Sequence, residues 1–217
     1  MNKSDITNKT VEYVRNLLEN ESTGHDWWHI YRVWNNAKFI AKNEKADLFV
    51  VEIAALLHDI ADWKFHDGDD SVGPNMAREW LEKLKSDESI ISHVCEIIKE
   101  ISFKGAGVKS LMKTKEGMIV QDADRLDALG AIGIARAFAY GGHKNRMLYD
   151  PKIKPKVHNS KEEYFNSGGT TINHFHEKLL LLKDMMNTET GRKLAEERHK
   201  FIEQFLDRFF KEWELKT

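Results

Sequence analysis

His58 and Asp59 stand side by side at the end of an apolar stretch, Ala54-Ala55-Leu56-Leu57. Asp62 follows one helical turn after His58. Ile53, Leu56, Leu57 and Ile60 recur at i, i+3, i+4 and i+7, the spacing of a helix face that packs into a core. Two titratable side chains therefore sit at the edge of buried apolar surface. Burying charge is costly unless something compensates it, and a metal cation does so for adjacent His and Asp. The plainer reading is a helix C-cap with an exposed histidine. Two further residues favour the metal: His29 and Asp124 each lie within or beside an apolar helical face, so three helices supply the set. Two imidazoles and two carboxylates make a mixed N/O donor set suited to Mn first, with Mg, Co, Ni, Fe or Zn as alternatives. Four protein ligands leave two positions of an octahedral ion for water and a substrate oxygen, as a metal hydrolase requires.

The elements that must position these residues are helices. Strand-like alternation is scarce, and only three prolines occur in 217 residues. The pattern predicts an all-α protein with helices over about 4–19, 26–43, 47–61, 74–85, 86–103, 118–140, 170–186 and 187–213. Asp26 is placed as an N-cap or first-turn residue, Pro74 in a first turn, and Ser86-Asp87 as a cap. Expected inward residues include Ile6, Val11, Val14, Leu17 and Leu18 in the first helix. In the last they are Leu194, Phe201, Phe205 and Phe209. Helix 118–140 is expected to run unbroken, with Ala128, Gly130, Ala131 and Gly133 admitting a close neighbour. Segment 63–73 is an acidic loop whose spacing does not match an EF-hand, and 141–169 is a long irregular loop with the composition of a lid. No repeat or low-complexity segment appears. The expected organisation is one helical domain, 1–217, with a motif-bearing core at about 22–140 and C-terminal helices at about 170–213.

Composition narrows the partners. Lys+Arg number 33 against 35 Asp+Glu, for a formal net charge of −2, so nothing argues for a nucleic acid polymer. No apolar run approaches the ~20 residues of a membrane span. The one cysteine, Cys95, precludes an intramolecular disulfide framework and Cys-rich structural zinc. It falls in the pattern Ile91, Val94, Cys95, Ile98 and reads as a packed thiol. A soluble cytoplasmic protein is expected, and a homodimer is compatible with the pattern.

The order His29, His58-Asp59, Asp124 resembles the H…HD…D signature of the HD-domain metal-dependent phosphohydrolases. Local contexts agree: His29-x-x-Arg32-Val33, Ala55-Leu56-Leu57-His58-Asp59-Ile60, and Asp122-Ala123-Asp124-Arg125-Leu126-Asp127-Ala128-Leu129-Gly130. With Gly133-x-Ala135-Arg136, the last motif looks most like a small bacterial subgroup related to nucleotide pyrophosphohydrolases. The resemblance implies an all-helical HD bundle and hydrolysis of a phosphate ester or anhydride, commonly of a nucleotide. It implies His29, His58, Asp59 and Asp124 as ligands of one divalent ion, with Asp124 preferred over Asp122 by its Ala-Asp-Arg-Leu context. Asp122 and Asp127 are then expected to orient a ligand imidazole or pair with Arg125. Asp62 stands where related enzymes often place a glutamate near the attacking water.

Phosphate requires cations, and Lys64, Lys104, Lys109, Arg125 and Arg136 lie within sequence reach, Lys64 and Lys104 foremost. Each also reads as a solvated surface charge. His25 and His93 are further candidates for touching substrate, against a helix-start and a core histidine. Trp27 and Trp28 suit base stacking, although at least one is expected in the core. His174 and His176 read as surface histidines. The favoured reaction is cleavage of a nucleoside triphosphate to monophosphate and pyrophosphate. Alternatives are a nucleotidase, a cyclic-nucleotide phosphodiesterase, a non-catalytic nucleotide-binding module and a di-iron oxygenase.

Overall fold

The computed structural model describes residues 1–19, 26–61, 69, 71–101, 112–156 and 169–215. These form nine α-helices and a 3₁₀ segment, with no strand among the described residues, so the all-α expectation holds. They divide into two compact units, one ending at Asp124 and one beginning at Arg125.

The first unit holds α1 (Lys3–Leu17), α2 (Trp27–Glu44), α3 (Leu48–Leu57), α4 (Val72–Lys83), α5 (Glu88–Glu100) and most of α6 (Lys115–Asp127). Its centre is α3, packed against α1, α2 and α5. Phe49, Val50, Val51, Ile53, Ala54, Ala55, Leu56 and Leu57 are all buried, which makes α3 apolar all round rather than along one face. Each large apolar side chain so withdrawn from water contributes about 1.5–3 kcal/mol. Its half-buried carboxylate, Glu52, accepts a hydrogen bond from Trp34 Nε1–H at 3.1 Å. Asp47 starts the helix by accepting from the backbone N–H of Phe49 and Val50.

On α2 the buried stripe is His29, Ile30, Val33, Ala37, Ile40 and Ala41, so an imidazole occupies a core position. Asp26 caps this helix as expected, its side chain accepting from His29 N–H at 2.8 Å. Tyr13 of α1 stacks on Trp80 of α4 with centroids 4.1 Å apart, and Trp80 Nε1–H donates to Thr10 Oγ1. Leu18 is buried but Leu17 is 43 % exposed, against expectation: the face of α1 is narrower than its leucines suggest. Burial pushes the Cys95 thiol up from its ordinary value, and its Sγ lies 3.3 Å from the Pro74 carbonyl oxygen, as suits a packed thiol.

The second unit contains α7 (Gly130–His143), α8 (Thr171–Glu177), the 3₁₀ segment (Leu179–Met185) and α9 (Glu189–Trp213). The expected continuous helix 118–140 is broken at Ala128-Leu129. Gly130 takes a φ of +69°, a left-handed conformation that side chains resist, and a Cβ on Gly133 would lie 2.1 Å from the Ala128 carbonyl oxygen. The small residues chiefly serve this break, although Gly130 also admits the Arg198 side chain of α9 to near 3.2 Å of where a Cβ would stand. Arg198 Nη1–H in turn donates to the Leu126 carbonyl at 2.6 Å, satisfying an end carbonyl of α6.

The expected helix 170–186 is an α-turn pair followed by a 3₁₀ segment. On α9 the buried residues are Gly191, Ala195, Ile202 and Leu206, whereas Phe201 is 49 % exposed. Phe205 instead joins Phe138 and Phe175 in an aromatic cluster, with centroids 5.7–5.8 Å apart.

His174 departs from a surface histidine. Burial, aided by Lys178 and Arg146, holds it down to about 3 against an ordinary 6.5. A histidine neutral in the folded state and protonated in the unfolded one contributes its full stability above about pH 6.5. That contribution is lost as pH falls from 6.5 toward 3, by at most about 1.4 kcal/mol per pH unit. Urea melts at pH 7 and pH 5 are expected to show this loss in the wild type and a shallower one in His174→Gln; equal slopes would contradict the assignment.

Candidate metal centre

Three helix ends in the first unit bring the predicted ligands together. His29 sits in the first turn of α2, His58 and Asp59 directly follow α3, and Asp124 lies in the last turn of α6.

The imidazoles are inside: His29 is 1 % and His58 8 % exposed, their rings 5.4 Å apart at 64°. His58 Nδ1 lies 2.8 Å from the Ala55 carbonyl oxygen. A carbonyl can only accept, so Nδ1 carries the hydrogen and the lone pair of the neutral ring is on Nε2. That Nε2 is buried and has no hydrogen-bond partner among the described residues. A buried polar atom left in this state costs about 1–3 kcal/mol. His58 does follow the helix as its C-cap, but as a buried residue with a fixed tautomer.

The carboxylates complete the group. Asp59 Oδ2 is 3.7 Å from His29 Nε2, and Asp124 Oδ1 is 3.5 Å from His29 Nε2 and 3.9 Å from His58 Nε2. Ligand-offering atoms of His29, His58 and Asp59 all lie within 4.8 Å of one another. Donors about 2.1 Å from a shared ion are roughly 3.0 Å apart when cis and 4.2 Å when trans. The three separations of 3.5, 3.7 and 3.9 Å fall between those limits and are longer than direct hydrogen bonds. His29, His58 and Asp59 therefore fit a divalent cation, and Asp124 stands beside them, 3.5 Å from His29 Nε2 and 3.9 Å from His58 Nε2.

The other sequence candidates are placed differently. Asp122 is fully buried and Asp127 is 1 % exposed. Asp127 pairs with Arg136, Oδ2 to Nη1 at 2.8 Å. Arg125 is buried and donates to the Met185 carbonyl. Both arginines thus make contacts inside the second unit. His93 of α5 faces Glu116 of α6, Nε2 to Oε2 at 3.9 Å, and is not part of the His29/His58/Asp59 group. His25, Asp62, Lys64, Lys104 and Lys109 lie outside the described residues. Trp27 is half-buried and Trp28 exposed, so neither is fully in the core. Sequence reasoning overlooked Tyr31, three residues after Trp28 and in edge contact with it; the i, i+3 spacing was the available signal.

The HD domain family model matches residues 27–129, a range that contains His29, His58, Asp59 and Asp124. An uncharacterized protein of Bacillus subtilis, YpgQ, is 42 % identical over 195 residues, covering 89 % of this chain and 87 % of that protein. Among solved structures, a HD-superfamily hydrolase from Bacillus thuringiensis is 43 % identical, with a TM-score of 0.77 over 98 % of this chain and 99 % of that one. The crystal structure of Bacillus subtilis YpgQ in complex with ADP matches at a TM-score of 0.74 and 38 % identity, over 95 % of this chain and 97 % of that one.

Because the Asp124 side chain is partly exposed and Asp122 fully buried, their substitutions separate. Asp124→Asn is expected to leave the melting temperature of metal-stripped protein nearly unchanged and to abolish the rise produced by Mn. In the wild type that rise is worth about 2.7 kcal/mol at 100 times Kd. Asp122→Ala is expected to lower the metal-free melting temperature and keep the Mn-dependent rise. The reverse pattern would make Asp122 the last ligand.

Proposed function

The chain belongs to the HD-domain phosphohydrolase superfamily, and from that premise we propose that it hydrolyses nucleoside triphosphates, ribo or deoxy, to the monophosphate and pyrophosphate with one divalent ion, Mn first among the candidates. The observation that carries this reading is the convergence of His29, His58, Asp59 and Asp124 within metal-ligand distances in an apolar setting. The ADP complex of YpgQ supports a nucleotide as the phosphorylated ligand.

When bound there, a divalent ion supplies water acidification and charge neutralisation on phosphate oxygens. The chain's own residues do the rest. The Ala55 carbonyl holds the His58 ring by Nδ1–H and presents Nε2 inward. Ile30, Val33, Leu56 and Leu57, all fully buried, fix the backbone from which His29 and His58 project. Water attacks the α-phosphorus, the bond to the bridging oxygen of the β-phosphate breaks, and pyrophosphate leaves. Asp62 is assigned to aim or deprotonate that water, and Lys64 and Lys104 to offset transition-state charge, on their sequence positions. A second reading is a nucleotidase on the same site, which would release a nucleotide's phosphate as inorganic phosphate; the ADP complex of YpgQ fits a nucleotide ligand in either case.

Product analysis distinguishes them. Metal-stripped protein re-supplied with Mn and given nucleoside tri-, di- and monophosphates is expected to release pyrophosphate from ATP and dGTP, with turnover lost in Asp59→Ala while the helical circular dichroism persists. Release of inorganic phosphate alone would establish the nucleotidase. No turnover of any nucleotide by fully loaded wild type would overturn the reading.

A further inference from the structure

Helix α2, which supplies His29, also carries Trp27, Trp28, Tyr31 and Trp34 in its first two and a half turns. Trp34 is engaged within the fold: its indole N–H donates to Glu52, and Lys38 Nζ stands 3.6 Å from its ring centroid. Trp28 and Tyr31 are not so placed. They are 59 % and 42 % exposed, and they meet edge to face with centroids 5.8 Å apart and planes at 80°. Trp27 also packs on Tyr31, with ring centroids 6.1 Å apart.

An isolated exposed aromatic needs no explanation. Here two large rings brace one another in solvent, and one of them immediately precedes a metal-ligating histidine. Successive residues of a helix rise about 1.5 Å and turn about 100°, so Trp28 and His29 leave the same turn on adjoining sectors. The inward sector serves the ion and the outward sector offers a π face. A nucleotide is built in the same way, with a charged phosphate chain at one end and an aromatic base at the other. Trp28 is the exposed ring that adjoins His29 at the same end of α2. Tyr31, one turn further on, holds the indole against rotation, so stacking on it orders little else.

We infer that Trp28, braced by Tyr31, is the stacking surface for the base of the nucleotide whose phosphates the His29/His58/Asp59/Asp124 centre engages. This rests on the nucleotide reading above. Stacking accepts every base and favours the larger purine surface, so it gives affinity for nucleotides over base-free polyphosphates with modest base selectivity.

The test compares KM for ATP with Ki for inorganic tripolyphosphate, which has the phosphates and no base, in wild type, Trp28→Ala and Trp28→Phe, all with Mn. In Trp28→Ala the ratio of KM to Ki is expected to rise about 5- to 100-fold, with most of the rise reversed in Trp28→Phe. Equal weakening of both ligands would show that Trp28 supports the start of α2 instead, and would overturn the inference. So would an unchanged ratio, including one accompanied by a shift of Trp28→Ala to a smaller species on size exclusion, which would assign the rings to a protein interface. Wild-type protein that turns over no nucleotide would fail the nucleotide reading itself, a result separable from a failure confined to Trp28.

Discussion

The lone pair of a buried imidazole held close to a carboxylate oxygen repels it unless a positive charge stands between them. Here that constraint is built by the backbone. The Ala55 carbonyl takes the Nδ1 hydrogen of His58, so the ring has only a lone pair to offer from Nε2 while neutral. Asp124 Oδ1 confronts that atom at 3.9 Å and His29 Nε2 at 3.5 Å. Each contact is too long for a direct hydrogen bond and suitable for a shared ion. The surrounding helices can be understood as the apparatus that keeps these atoms so placed.

Rigidity comes from burial. α3 is apolar on every side and ends where His58 begins, so the ligand pair is anchored by the most deeply packed helix of its unit. His29 belongs to the buried stripe of α2, and the Asp26 cap fixes its backbone N–H. Asp124 is the most exposed of the four candidate ligands, with 36 % of its side chain accessible. A centre with inward nitrogens and one accessible carboxylate suits an ion that must meet water and a phosphate.

How much of this was legible in the sequence depends on what kind of interaction each residue makes. The four candidate ligands stood out because polar, titratable side chains in apolar helical faces are costly, and three of them, His29, His58 and Asp59, come together in the fold. The helices could be read from their apolar period. The break between α6 and α7 was hidden, since Ala128, Gly130 and Gly133 fit a tightly packed helix as well as a turn. What makes the turn is a positive φ at Gly130 and a carbonyl satisfied by Arg198, 72 residues away. The Asp127–Arg136 pair depends on the same break. Nine residues along an unbroken helix are two and a half turns, which would set the two side chains on opposite faces. On α9 the aromatic residues suggested a stripe through Phe201, whereas Gly191, Ala195, Ile202 and Leu206 provide the closer packing surface. Small residues carry little hydrophobic signal, yet they decide which face approaches its neighbours.

The most direct test of the cation centre is anomalous diffraction from crystals grown with Mn. The account predicts one peak, about 2.0–2.5 Å from His29 Nε2, His58 Nε2 and one oxygen each of Asp59 and Asp124. A peak elsewhere, or those four side chains closing into direct hydrogen bonds in the presence of saturating metal, would contradict it.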